Sequence, residues 1–166
     1  MPLRSILRFP DPRLSLPAAA VETFGAELAV LAADLLDTMR AAPGIGITAP
    51  HIGVAQRLTV IGIDATTAPK IYVNPRIVAA SSETSSHAEG SVSMPGVTED
   101  VVRPSTVRVV YRTITGDRAE EDADGLLAVC LQHEIDQLDG IFWLQRLSRL
   151  KRDRAVKRYA KLNRGI

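Results

Sequence analysis

The hydrophobic period changes twice along this chain, and that order is what most limits its fold. Phe24, Leu28, Leu31, Leu35 and Met39 recur at steps of three and four residues, one apolar stripe on a helix. Ala41-Ala42-Pro43-Gly44 ends it, because proline disfavours helix at the residue before it and glycine permits turn angles. The middle is β-like. Leu58–Ile63 and Ile71–Ala79 are rich in β-branched residues, with Pro75 marking an edge or a bulge in the second. Val101–Thr113 mostly alternates, Val107, Val109 and Tyr111 against Arg108, Val110 and Arg112, and Gly116-Asp117 reads as a turn. Helical spacing returns at Leu126–Leu138, bounded by Asp124 or Gly125 and by Asp139-Gly140. It returns again from Arg149 to about Leu162 behind a Ser148 cap, with Leu147, Leu150, Val156, Tyr159 and Leu162 as the apolar side. Helix, a run of strands, then helix predicts an α+β fold rather than an alternating parallel one. With no repeat and no linker, the 166 residues form one domain, 1–166.

Composition removes other classes. At 46% apolar and 23% charged, the chain has an ordinary core to bury and is not a disordered one. Its one cysteine, Cys130, excludes an internal disulfide and fits a reducing compartment. MPLRSILRFPDPRL carries no apolar leader, so a cytoplasmic location is expected. Runs such as Leu58–Ile63 are far short of the ~18 residues a membrane span needs. The net charge of +1 hides an asymmetry: from Arg146 onward there are nine basic residues and one acid, Asp153, a formal +8. That leaves eleven basic and eighteen acidic residues before it, a formal −7. Such a basic arm suits an anionic surface such as nucleic acid, and equally a solvated helix face.

The segment Gln132-His133-Glu134-Ile135-Asp136-Gln137-Leu138-Asp139-Gly140 carries the chemistry. On a helix His133 and Gln137 lie one turn apart on one face, with Glu134 beside them. A zinc hydrolase helix reads H-E-x-x-H there, two imidazoles on one metal and the glutamate as general base. In this chain the second histidine is Gln137. Two further blocks precede it: Gly44-Ile45-Gly46-Ile47-Thr48-Ala49-Pro50-His51, and Glu89-Gly90-Ser91-Val92-Ser93-Met94-Pro95-Gly96. With Leu126 to Asp136, the three blocks in this order and spacing resemble the signature motifs of the peptide deformylase family. Ile6 to Leu14 (ILRFPDPRL), Val73-Asn74-Pro75 and the basic C-terminal helix resemble it too, so the likeness spans essentially the whole chain.

The resemblance implies antiparallel β-sheets packed around a central HExxH-type helix, with an N-terminal helix and a basic C-terminal one. It implies hydrolysis of the formyl group from the N-terminal methionine of nascent bacterial polypeptides. It also implies a divalent metal, iron or zinc, held by one cysteine and two histidines. Carried onto this chain, it makes Glu134 the general acid/base, His133 a metal ligand and the Val92 N–H an oxyanion donor. Gly44, Ile45, Gly46 and Ile47 line a groove in which the peptide lies as an added strand. Glu89 and Arg103 form a structural ion pair nearby. The implied partners are the N-terminal peptide of a nascent chain and, through the basic helix, the ribosome. Neither DNA nor a membrane is expected.

The departures fall on the chemistry. Ser91 stands at the cysteine ligand, Gln137 at the second histidine ligand, and His51 at the oxyanion glutamine; Thr48 for alanine looks minor. A hydroxyl and a carboxamide are poor partners for a metal that prefers thiolate and imidazole. Their presence predicts metal binding weaker by several orders of magnitude, and usual activity weak or absent. An alternative reading keeps an active metal-dependent deformylase or amidase, its site rebuilt from His51, His133 and Glu134 with Ser91 or Gln137 weakly attached. A third pairs Ser91 with His51 or His133 as a metal-free nucleophile and base. His87, about 13 Å from Ser91 along a strand, reads as a surface residue. Cys130, about 10 Å along the helix axis from Gln137, reads as a small buried hydrophobe. Asp136 and Asp139 are assigned to helix-end electrostatics and packing.

Overall fold

The computed structural model describes residues 3–164. The stripe after Phe24 becomes α1, Ala26–Ala41, with Leu28, Leu31, Leu35 and Met39 buried. Each such side chain contributes about 1.5–3 kcal/mol on burial. They pack on a short strand, β1 (Gly46–Thr48), and on β2 (Leu58–Ile61). The chain runs on through β3 (Lys70–Ala80), β4 (Thr84–Ser91), β5 (Met94–Pro104), β6 (Val107–Arg112) and β7 (Arg118–Ala123). It ends in α2 (Gly125–Leu138) and α3 (Arg149–Arg164). β1-β2-β3-β6-β7, in that order, form one antiparallel sheet, and β4-β5 a separate hairpin. The fold is α+β, as the order of periods predicts.

Pro75 sits in an interior strand, so the ladder bulges rather than ending at an edge: pairing slips between Val73–Arg112 and Arg76–Val110. At the bulge Asn74 takes φ 51°. Its side-chain amide brackets Val21, accepting from the N–H at 2.7 Å and donating to the carbonyl at 2.9 Å. The single strand expected over Val101–Thr113 is corrected to two strands, β5 and β6, in different sheets. β5 stays with β4 to its end, with Pro104 opposite Thr84 and the Ser105 N–H on the Glu83 carbonyl at 2.9 Å, and pairing passes to β3 from Val107, opposite Ala80. β4 (TSSHAEGS) and β7 (RAEEDA) carry no apolar alternation, and their partner strands hold them in place.

α2 is buried at Ala128–Gln132 and again at Glu134–Leu138, so it is a core helix rather than a surface one. Ala128, Cys130, Leu131 and Ile135 pack with Tyr72, Val107 and Val109 of the large sheet. Gly140 stops the helix with φ +79°, and a Cβ there would stand 2.8 Å from the Ser15 carbonyl oxygen. α3 rests on β5 and on the turn Trp143–Arg146 through Ala155 and Tyr159. Phe9 stacks on Phe142 at 5.4 Å and meets the edge of Tyr159 at 6.1 Å, tying the N-terminal segment to this corner. The apolar side expected for α3 is too wide: Leu150 is 67% and Leu162 50% exposed, because one row of residues touches the hairpin.

Candidate functional site

On one side of α2, charged side chains form a closed network. The His133 Nδ1 donates to Glu89 Oε1 at 2.9 Å. Arg103 holds the same carboxylate twice, at 2.6 and 3.0 Å, and reaches Asp136 at 2.9 Å. Arg146 closes on Asp136 at 2.8 and 2.7 Å. Burial opposes charge on Glu89, but its bonds to His133 and Arg103 outweigh burial and hold it below the usual carboxylate range. Burial likewise opposes charge on His133, and the Glu89 bond with the Glu134 and Glu89 charges raises it above the ordinary imidazole value. The expected Glu89–Arg103 pair is present. Asp136 is corrected from a helix-end charge to a member of this network, and Asp139 to the partner of Arg57 at 2.6 Å.

On the other side lies a cavity of about 360 Å³. Gly44, Ile45 and Gly46 bound it at β1, Ser91 and Val92 at the hairpin turn, and Cys130, His133 and Glu134 on α2, with His51 in its wall. β1 is an edge of the large sheet. Gly46 is glycine for a reason of space: a Cβ would stand 2.7 Å from Glu134 Oε1. Ile47 does not line the cavity; the alternation of the strand turns it into the α1 core, where it is fully buried.

Two substituted positions are turned to other work. The Ser91 Oγ accepts from the Ser93 N–H at 3.1 Å, closing its own turn. Among the described residues no hydrogen bond joins it to either histidine of the site. The Gln137 Nε2 donates to the Leu14 carbonyl at 2.7 Å, and the side chain lies outside the cavity wall. Its expected place beside the others is therefore corrected: it ties α2 to the N-terminal segment. Val92 lines the cavity while its carbonyl accepts from Arg8 Nη1 at 2.7 Å. His87 sits on β4, half-buried and outside the wall.

His51 is only 1% exposed, on the turn Ala49–Ile52. The Thr48 N–H donates to its Nδ1 at 2.9 Å, and Thr48 Oγ1 lies at 2.9 Å from the same atom. His51 Nδ1 is 4.0 Å from Glu134 Oε2. Among the described residues, neither that oxygen nor His51 Nε2 has a hydrogen-bond partner. Burial, reinforced by the charge of His133, pushes His51 down to about 3. Burial pushes Glu134 up to about 7, with His133 opposing. Cys130 is buried as expected, but it also forms cavity wall. Burial and the Glu134 and Glu89 charges push its thiol up to about 12, so it is a neutral, apolar surface. Thr48 and Cys130 are the site residues that sequence reasoning missed. The signals were Thr48 three residues before His51, the spacing of a capping box, and Cys130 one helical turn before Glu134. Among the described residues, no group of three or more His, Cys, Asp and Glu side chains is arranged to hold a metal ion.

A strand edge, a half-open cavity and a His-Glu pair on a core helix make a cleft of the kind that can receive an extended peptide. The comparisons give that class its family. A sequence model described as polypeptide deformylase matches residues 3–153. A protein of Rhizobium meliloti (strain 1021) named peptide deformylase-like is 62% identical over 165 residues, 99% of this chain and 96% of that one. The peptide deformylase of Methylocella silvestris is 46% identical over 167 residues, 97% of this chain and 85% of that one. The crystal structure of a peptide deformylase from Legionella pneumophila superposes with TM-score 0.93 at 41% identity, covering 98% of this chain and 96% of its own. That of the Ehrlichia chaffeensis enzyme in complex with actinonin gives TM-score 0.92 at 37% identity, covering 99% of both. This chain belongs to the polypeptide deformylase family.

Proposed function

We propose that this chain binds the N-terminal segment of a peptide in the deformylase cleft, and that its metal-dependent formyl hydrolysis is weak or absent. The observation that carries this reading is the state of the two substituted ligand positions: Ser91 bonds its own turn and Gln137 bonds Leu14. The donors that remain do not fit iron or zinc. His133 supplies one imidazole, the His51 Nδ1 is occupied by Thr48, and the Cys130 thiol is held protonated. In the family the metal supplies an activated water; without that species Glu134 has no efficient proton to take, so the largest catalytic contribution is missing. The means of binding remain. The edge of β1 offers backbone groups to an extended peptide, Gly44–Gly46 let it approach closely, and Leu126, Val129 and Cys130 give an apolar wall for its first side chain. The exposed Arg152, Arg154, Lys157, Arg158, Lys161 and Arg164 of α3 form a basic face suited to ribosomal RNA.

The test is elemental analysis of protein purified anaerobically from cells supplied with iron, zinc and nickel, together with calorimetry and turnover on a formyl-methionyl peptide. Metal far below one per chain, background turnover and retained peptide binding are expected. Near-stoichiometric metal that disappears in His51→Ala would instead establish a rebuilt metal centre and an enzyme. Ser91→Cys combined with Gln137→His asks whether the scaffold is otherwise intact, and restored metal and turnover are the expected result.

A further inference from the structure

We infer that Thr48 and His51 act as one unit: Thr48 is a positioning residue that holds His51 as the Nε2–H tautomer, giving the cavity a fixed N–H donor for an uncharged carbonyl oxygen. The inference rests on the peptide-binding reading, takes the acylated amino terminus from the family's own substrate, and adds the residue that sets which ring nitrogen of His51 faces it as a donor. The argument is one of hydrogen-bond roles. A backbone N–H can only donate, so the Thr48 N–H at 2.9 Å makes the His51 Nδ1 an acceptor. In a neutral ring the proton then sits on Nε2. The Thr48 hydroxyl, also 2.9 Å from Nδ1, adds a second hold that an alanine lacks. The two departures from the family pattern are therefore a coupled pair, and Thr48 is not the minor change it looks in sequence.

Nε2 is the atom left over. It is buried with no partner among the described residues, on a ring 1% exposed that forms cavity wall. A buried donor without a partner is costly, and one at a cavity is met by whatever the cavity holds. A donor N–H cannot ligate a metal and cannot take a proton, so this geometry opposes both the rebuilt metal centre and a serine–histidine pair. It fits a carbonyl oxygen and repels a free ammonium.

Two measurements on the full chain, stripped of metal with chelator and then freed of the chelator, test this. The first is ring ¹⁵N spectroscopy at pH 7, with His51 assigned by its loss in His51→Gln. Expected is an acceptor-type Nδ1 and a protonated Nε2, unmoved by added zinc. A protonated Nδ1, or an Nε2 signal that shifts with zinc, overturns the inference. The second is calorimetry with formyl-methionyl-alanyl-serine and its free-amine counterpart. The formyl peptide should bind at least about tenfold more tightly, the scale of one hydrogen bond. His51→Ala should lose that preference and His51→Gln, which keeps an N–H, should retain most of it. Thr48→Val should weaken formyl-peptide binding and broaden the His51 ring signals, and Thr48→Ser should restore both. Equal binding of the two peptides, or undiminished preference in His51→Ala, overturns the inference and leaves the peptide-binding reading standing. No binding of either peptide by the natural chain overturns both.

Discussion

The polar groups on the two sides of α2 are equally deep and differently satisfied. On the network side Glu89, Arg103 and Asp136 are 6, 5 and 7% exposed, and each has its charge matched by a neighbour at hydrogen-bond distance. On the cavity side His51 and Glu134 are 1 and 4% exposed, and each keeps a polar atom with no partner among the described residues. A closed network fixes the helix in one position, while open atoms stay available to something that enters. Frame and site meet at Glu89 and His133, which bond to each other in the network and both line the cavity.

The comparison breaks most visibly if the frame is cut. Arg103→Met removes the cation between two buried carboxylates, and a loss of about 3–5 kcal/mol is expected in urea unfolding. A loss under ~1 kcal/mol would mean the network is ornamental and the contrast false. The cavity side answers to pH instead. Glu134 titrates near 7 in the fold against an ordinary 4.5, so between these values the folded state holds a proton the unfolded chain has released. Stability from this group is therefore full below 4.5 and lost as pH rises through about 7. His51 pulls the other way: held neutral down to about 3, it lowers stability as pH falls below 6.5. The clean readout is Glu134→Gln against the natural chain. The variant should match it near pH 4.5 and exceed it by about 3 kcal/mol at pH 8. A constant difference across pH would show that Glu134 is not a buried carboxyl of this kind.

Frame and site also differ in how far the sequence discloses them. The frame is largely readable, because it depends on apolar period and on paired charges: the α1 stripe, the α2 helix and the Pro75 bulge follow from residue type and spacing, and the Glu89–Arg103 pair from the family resemblance. β4 and β7 did not, since TSSHAEGS and RAEEDA owe their strand state to partners far along the chain. The members of the site were readable through the family motifs, but their orientation was not. Nothing in the letters Gln137 tells that its amide reaches Leu14, over a hundred residues away in sequence, and nothing in Ile47 beyond strand alternation tells that it leaves the cavity. Thr48 looks minor because its effect runs through a hydrogen bond to a ring nitrogen, of which the sequence offers only the capping-box spacing to His51.

The boundary between the two sides is sharpest at Gly46. A methyl added there would stand 2.7 Å from Glu134 Oε1, so Gly46→Ala should cost about 1–3 kcal/mol by overpacking. In the background of Glu134→Ala the clash has no second party, and the same substitution should cost less than ~0.5 kcal/mol in a double-mutant cycle. Additive costs would place the strain in the backbone rather than against the carboxyl.

The smallest effect tests the assignment of Gln137 to the frame. Gln137→Met keeps volume and unbranched shape while deleting the donor to the Leu14 carbonyl at 2.7 Å. The expected loss is about 1 kcal/mol, one net hydrogen bond, because the rest of the side chain still packs. Formyl-peptide affinity should stay within about twofold, since the residue lies outside the cavity wall. If affinity falls tenfold while stability holds, Gln137 belongs to the cleft after all, and the division at α2 has been drawn one turn too early.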